Sequence, residues 1–388
     1  MVKERIKKVR ENLKDRQEPA AVIITDKFNR RYMTGFASSS GYVLITPKNA
    51  RFFTDTRYIE FAKKNIGGIY SGVELYPKEE AKKFYKELLE KENIKNIMYE
   101  ENYITLKSKK YFDDLFEGFT LIESEGIIEK MRQVKDLAEI ESIGKAQNIT
   151  DKAFAYILNF IDDNLGKLTE TDIAAELEYY MRKNGADGIA FDTICVSGSK
   201  SSRPHGEPEH IKLSKGFLTL DFGAKFNGYC ADMTRTVCIG KPSAKMLEVY
   251  NLVRNAQLAA LETVKAGMES IEADIAARDM IRNAGYGDNF GHGLGHSVGL
   301  EVHESPSFTG SKSPEDRAKA LEEQAKKAAE DPEYKPPAKI YLPENTVISV
   351  EPGVYLEGEF GIRIEDLIVI KANGCQNLTK TGKDLIIL

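Results

Sequence analysis

Apolar residues recur along this chain in two rhythms, and the changes of rhythm mark its elements. In the opening segment MVKERIKKVRENLKDRQ, Ile6, Val9 and Leu13 fall at helical spacing among charges, which predicts an amphipathic helix. It has no apolar h-region and does not read as a signal peptide. Three β-rich runs follow, AVIIT at 21–25, GYVLIT at 41–46 and RFFTD at 51–55, with Pro47, Lys48 and Asn49 as turn residues. Residues 78–91 and 105–116 carry helical patterns. Residues 1–125 therefore predict a mixed α/β domain. Its acids are dispersed and it holds no histidine, so it reads as a packing or oligomerisation domain. A boundary falls in ESEGII at 123–128, and a long helical stretch is expected from Glu129 to about Asn164. The second domain spans 126–388. One segment of it, Thr309–Lys339, is an Ala/Glu/Lys helix with a thin apolar stripe of Leu321, Ala325 and Ala328. Ser313-Pro314 starts this helix and Asp331-Pro332 stops it, so it reads as an excursion between two core strands.

Length and composition narrow the possibilities. At 388 residues the chain exceeds the usual limit for one core, in keeping with two domains. A net charge of −5 and a pI near 5.8 argue against nucleic acid or an anionic membrane as partner, because both need clustered Lys and Arg. No apolar run approaches a membrane span. Cys195, Cys230, Cys238 and Cys375 lack CxxC spacing, which predicts reduced thiols in the cytoplasm and no thiolate metal site. All five histidines, His205, His210, His292, His296 and His303, lie in the second domain. Histidine is the commonest metal ligand and the usual acid–base group near neutrality, so chemistry is expected there.

Two hairpins in that domain carry paired acids. In FLTLDFGAKFNGYCADMTRTVCIG at 217–240, Asn227-Gly228 predicts a type I′ turn. Cross-strand partners then sum to 455: Asp221 faces Thr234, Asp232 faces Gly223, and the two aspartates share one face. Such a pair is costly unless something positive lies between its members. The plainer alternative is that each caps a turn or pairs with Lys225 or Arg235. In the second hairpin, ISVEPGVY at 348–355 and GIRIEDLIVI at 361–370, a loop centred on Gly358 sets Glu351 opposite Glu365. Charges within strands this apolar are rarely left unpaired. Between the hairpins lies GHGLGHSVGLEVHE at 291–304, whose glycines weigh against an HExxH helix; in an extended strand His292 and His296 would point the same way. Four carboxylates and an imidazole form a hard ligand set suited to two divalent ions: the four negative charges balance two dications, leaving a bridging hydroxide to act as nucleophile.

The order of these motifs resembles the pita-bread metallopeptidases: methionine aminopeptidases, Xaa-Pro aminopeptidases and Xaa-Pro dipeptidases (prolidases). RYMTGFASSSGYVLIT and FFTDTRY resemble the creatinase-like amino-terminal domain of the proline-specific branch, and MRQVKDLAEIESIGKAQNITDKAF its first catalytic-domain helix. Methionine aminopeptidases typically lack that amino-terminal domain and are disfavoured. The resemblance implies a creatinase-like mixed α/β domain over 1–125. A pita-bread domain, α+β with pseudo-two-fold symmetry, would follow over 126–388, interrupted by the charged helical insertion at about 309–339. It implies that Asp221, Asp232, His296, Glu351 and Glu365 bind two metal ions, Mn²⁺ ahead of Co²⁺ or Zn²⁺. It further implies that Glu351 shuttles protons, that His205 contacts substrate, and that His303 polarises the scissile carbonyl and steadies the oxyanion. His292 would line the cleft, and Arg363 would support the carboxylates. His210 has no counterpart and reads as a surface residue.

The activity implied is that of an Xaa-Pro aminopeptidase, cleaving between an unblocked first residue and a following proline by a metal-bridging hydroxide. A prolidase acting on dipeptides alone is the alternative. A metal-free creatinase-type hydrolase and a non-catalytic peptide-binding scaffold are more remote, because the ligand set is complete. A homodimer is expected. The insertion departs from the short connection expected between LEVHE and SVEPG, which leaves the cleft mouth and the oligomer contacts undefined.

Overall fold

The computed structural model describes residues 1–77, 80–308, 310, 313–331 and 333–388. The chain divides into two compact units, Met1–Met131 and Arg132–Leu388. No helix among the described residues is long and apolar enough to cross a membrane.

The first unit is built on a six-stranded mixed sheet. In spatial order its strands are Gly72–Leu75, Ala50–Thr54, Tyr42–Ile45, Ala20–Ile24, Asn96–Tyr99 and Thr120–Glu123. Tyr42–Ile45 is antiparallel to both its neighbours and the remaining pairings are parallel, so helices must carry the crossovers between parallel strands. The opening helix, Val2–Lys14, buries Ile6, Val9 and Leu13, the stripe its spacing predicts. Asp26 caps the next helix by accepting from the backbone of Phe28 and Asn29, and Gly35 ends it in the left-handed conformation. The predicted helix at 78–91 is observed over Ala81–Glu90; Lys78 and Glu79 lie outside the described residues.

The second unit repeats one order twice: two helices, then a hairpin bearing acids. Helices Leu137–Asp163 and Glu170–Lys183 precede the strands Gly216–Phe222 and Met233–Ile239. Helices Ala244–Thr263 and Ser270–Asn283 precede the strands Val347–Val350 and Asp366–Lys371. Each helix pair packs on its own hairpin. Ile157, Leu177 and Met181 meet Leu218, Leu220 and Phe222, while Val253, Ala256 and Ile281 meet Val350, Ile362 and Ile368. Removing a side chain such as Ile368 from either core should cost roughly 2–5 kcal/mol. The expected continuous helix from Glu129 is corrected. It breaks at Val134–Asp136, because the Asp136 side chain accepts from Ala138 and Glu139 and closes a capping box that starts a new helix.

Both hairpins keep the register read from their turns. In the first, Asn227 and Gly228 have φ of 48° and 76°, as a type I′ turn needs, and Asp221 pairs with Thr234. In the second, Gly353 pairs with Arg363 and Val350 with Asp366, on either side of Glu351 and Glu365. Each ladder is interrupted where an acid turns inward: at Asp232 in one, at Glu351 and Glu365 in the other. The excursion forms the helix Pro314–Glu330 capped by Ser313, with none of its residues buried and Leu321 66% exposed. Arg317 ties it to Asp279 on the helix Ser270–Asn283. Thr309, Ser311, Lys312 and Pro332, the last part of the expected stop, lie outside the described residues.

Candidate metal centre

A cavity of about 510 Å³ in the second unit gathers nine residues singled out by sequence: His205, Asp221, Asp232, His292, His296, His303, Glu351, Arg363 and Glu365. His210 is exposed and bonds Thr171, away from this group. The cavity wall also includes Phe191, Asp192 and Phe308, which nothing in the sequence marked.

The hairpin interruptions explain how the acids meet. Glu365 is tied to the first hairpin twice, its backbone N–H donating to Thr234 O at 3.1 Å and its Oε2 accepting from Thr234 Oγ1 at 2.7 Å. Asp232, His296 and Glu365 each offer a ligand atom, and these atoms lie within 4.8 Å of one another. His296 Nε2 stands 3.7 Å from Asp232 Oδ2 and 3.4 Å from Glu351 Oε1. The expected extended strand through His292 and His296 is corrected to a two-residue strand, His296–Ser297, since Gly291, Gly293 and Gly295 leave the preceding chain irregular. Both imidazoles nevertheless face the cavity.

Among the described residues, one cationic side chain lines this cavity. The cation on Asp221 is Arg363, whose Nη2 donates to Asp221 Oδ2 at 2.6 Å; Arg235, the nearer candidate in sequence, goes instead to Asp366 at 2.7 Å. Arg363 also donates through Nε to Thr234 Oγ1 at 3.0 Å and through Nη1 to Tyr355 Oη at 2.9 Å and Pro204 O at 3.2 Å. Tyr355 Oη in turn meets His292 Nε2 at 2.9 Å. Tyr355 and Thr234 were missed as site residues. Each lies inside a motif read for its acids, and each has a hydrogen-bond partner in the site more than 60 residues away.

The charge balance is uneven. Burial, reinforced by the neighbouring acids, pushes the carboxyls of Asp232 and Glu365 well above their ordinary range. Burial raises Glu351 to about 7, against the pull of Arg363. The adjacent acid behaves oppositely: Asp366 lies between Arg235 and Lys383 and is held below the ordinary carboxylate range despite its burial. Asp221 Oδ1 and Glu365 Oε1 are buried with no hydrogen-bond partner. Burial lowers His292 and His296 to about 4, and His303 is lowered for the same reason, so His292 and His296 are neutral near pH 7 and able to ligate. Buried acids with orphaned oxygens, an excess of negative charge and a neutral imidazole among them fit divalent cations.

Residues 141–372 match metallopeptidase family M24. The chain belongs to that family. Residues 5–134 of this M24 peptidase match the creatinase/prolidase N-terminal domain, so a creatinase-like domain precedes a pita-bread catalytic domain. An Xaa-Pro dipeptidase from Pyrococcus horikoshii is 35% identical over 390 residues, covering 100% of this chain and 99% of its own. Among solved structures, an Xaa-Pro dipeptidase from Bacillus anthracis is similar with a TM-score of 0.87 at 34% identity, covering 100% of both chains. An X-Pro aminopeptidase from Thermotoga maritima has a TM-score of 0.80 at 36% identity, covering 95% of this chain and 98% of its own. Both kinds of name occur among the relatives of this M24 peptidase.

Proposed function

We propose that this metallopeptidase is an Xaa-Pro aminopeptidase, hydrolysing the bond between an unblocked first residue and a following proline. In this reading Asp221, Asp232, His296, Glu351 and Glu365 hold two divalent cations, and Mn²⁺ suits so oxygen-rich a set. When bound, such ions lower the pKa of water and polarise a carbonyl, which lets hydrolysis run near neutrality. Glu351, raised to about 7, takes and returns a proton at its carboxylate with little driving-force penalty. His303 donates to the oxygen on which negative charge develops, His205 contacts the substrate, and His292 closes the cleft wall against Tyr355. Arg363 fixes Asp221 and offsets part of the negative charge.

The observation that favours an aminopeptidase over a dipeptidase is the state of Arg363. Among the described residues lining the cavity it is the only Arg or Lys, and all three of its nitrogens are engaged by Asp221, Thr234, Tyr355 and Pro204. A dipeptide would bring its terminal carboxylate into this cavity, where among the described residues no Arg or Lys is free to receive it. A longer peptide presents a neutral amide there instead. Four cysteines without a disulfide support a cytoplasmic protein, and a homodimer, which sedimentation can check, is part of the same reading. The test is turnover of Xaa-Pro against Xaa-Pro-Yaa peptides with Mn²⁺, alongside metal analysis. Preference for the longer peptide and up to two ions per chain are expected. Faster cleavage of Xaa-Pro, equal cleavage of acetylated peptides, or full activity in chelator would each overturn the reading.

A further inference from the structure

His303 sits between two acids whose carboxylates are drawn away from the metal centre. Glu301 Oε2 accepts from Arg132 Nη2 at 2.7 Å, and Glu304 accepts from Arg132 and, at 3.3 Å, from Lys135 Nζ. The side chains are sequestered: relative exposure is 4% for Arg132, 1% for Lys135 and 6% for Glu304, against 23% for Glu301. The loop is closed on itself as well. The backbone N–H of Glu301 donates to Glu304 Oε1 at 3.2 Å, and that of Gly299 to Glu301 O at 2.9 Å. A Cβ on Gly299 would lie 2.5 Å from Glu304 Oε1, so a side chain there would have to displace the carboxylate that Arg132 and Lys135 hold. Cys230 N donates to Gly299 O at 2.8 Å, fastening the loop to the hairpin that carries Asp232. Among all these groups His303 alone faces the cavity, its ring centroid 4.2 Å from that of His296.

We propose that Arg132 and Lys135 are positioning residues for catalysis: by holding Glu301 and Glu304 they fix the 299–304 loop and keep His303 aimed at the substrate carbonyl. The proposal rests on the role given to His303 above. Two cations matched to two acids leave this buried cluster near neutral. Removing one cation strands a carboxylate next to His303, and the cheapest relief is for the loop to turn that acid toward water or toward the cations of the metal centre. Either movement displaces His303. A displacement of about 1 Å suffices for a roughly 10²-fold loss of rate.

The test is a double-mutant cycle on the full-length, Mn²⁺-loaded protein with an Xaa-Pro-Yaa peptide, comparing wild type, Arg132→Met, His303→Ala and the double variant. Arg132→Met is expected to lower kcat roughly 10²-fold with KM within a few-fold of wild type and metal content unchanged. In the His303→Ala background the same change should cost almost nothing further. Arg132→Lys should recover part of the rate. An equal loss in both backgrounds, or a loss that tracks missing metal, would show a merely structural role and overturn the proposal. An unchanged kcat in His303→Ala would overturn the reading of His303 itself, and the proposal with it. If Arg132→Met does not fold, Lys135→Met, which leaves Arg132 on both acids, carries the same comparison: a loss confined to the His303 background supports the proposal, and an equal loss in both overturns it.

Discussion

Replacing Glu351 by glutamine should stabilise the protein when it is stripped of metal and destabilise it when metal is present. Burial raises the Glu351 carboxyl from 4.5 to about 7 in the folded protein. Between those values the folded state holds a proton that the unfolded chain has released. Wild-type stability therefore falls as pH rises through this window, and the loss is complete above about 7. At about 1.4 kcal/mol per pH unit the window corresponds to about 3 kcal/mol. A glutamine of the same shape never ionises and escapes the loss. His292 and His296, lowered to about 4, titrate in the opposite sense between about 4 and 6.5, and both proteins carry them, His296 differing only by its 3.4 Å contact with Glu351. Removing the Glu351 charge also relieves Glu365 and Asp232, both of which it pushes upward, and this adds in the same direction. Urea unfolding in chelator at pH 4.5 and pH 8 gives the required pair of differences. The variant should gain about 3 kcal/mol on the wild type between them. With saturating Mn²⁺ the order should reverse, because the variant has lost a ligand and binding stabilises only the folded state. A variant less stable by the same amount at both pH values in chelator would refute the claim that this carboxylate is buried without its counter-charge.

His303→Ala should keep its metal and lose roughly 10²–10³ in kcat, the usual size for one oxyanion donor, while His296→Ala should lose metal first; metal analysis beside kinetics separates them. Arg278→Met should both destabilise the protein by about 3–5 kcal/mol and lower activity, as read by denaturant unfolding and turnover. Arg278 is paired with the fully buried Asp274 and donates to Phe290 O at 2.7 Å and His292 O at 2.6 Å, so its loss frees the segment that carries His292. Replacing residues 309–339 with a short Gly/Ser link should leave metal content and melting nearly unchanged, since the helix buries nothing and closure depends weakly on length. Faster cleavage of longer peptides alone would identify the helix as a lid, and parallel or absent changes would identify it as solvated.

The two hairpins were legible because their registers are local properties: a two-residue turn and a three-residue turn fix which acids face each other. What was not legible lies between distant segments. Nothing near Asp221 announces Arg363, whose contact spans 142 residues; only the family resemblance pointed to it. Nothing in RIED says that Asp366 is paired and Glu365 is not, because Arg235 and Lys383 decide it. The ladder breaks that turn the acids inward depend on neighbouring strands. Asp136 was a readable signal that lost to pattern: with Glu139 three residues on it spells a capping box, yet apolar periodicity on both sides suggested one helix. The irregular chain before His296 shows the reverse, glycines prevailing over an extended reading.

The two hydrogen bonds between Thr234 and Glu365 join segments 131 residues apart, and the candidate ligand atoms of Asp232, His296 and Glu365 meet at the same joint. Topologically, an ion held there would be a clasp. It would close chain loops that the hairpins, each complete with its own turn, do not close themselves. Stripped of the ion, the molecule should open first at this seam while both ladders stay zipped. Amide exchange at Glu365 should then accelerate in chelator while exchange within Val354–Ile362 does not, so that metal occupancy can be followed from a single backbone proton.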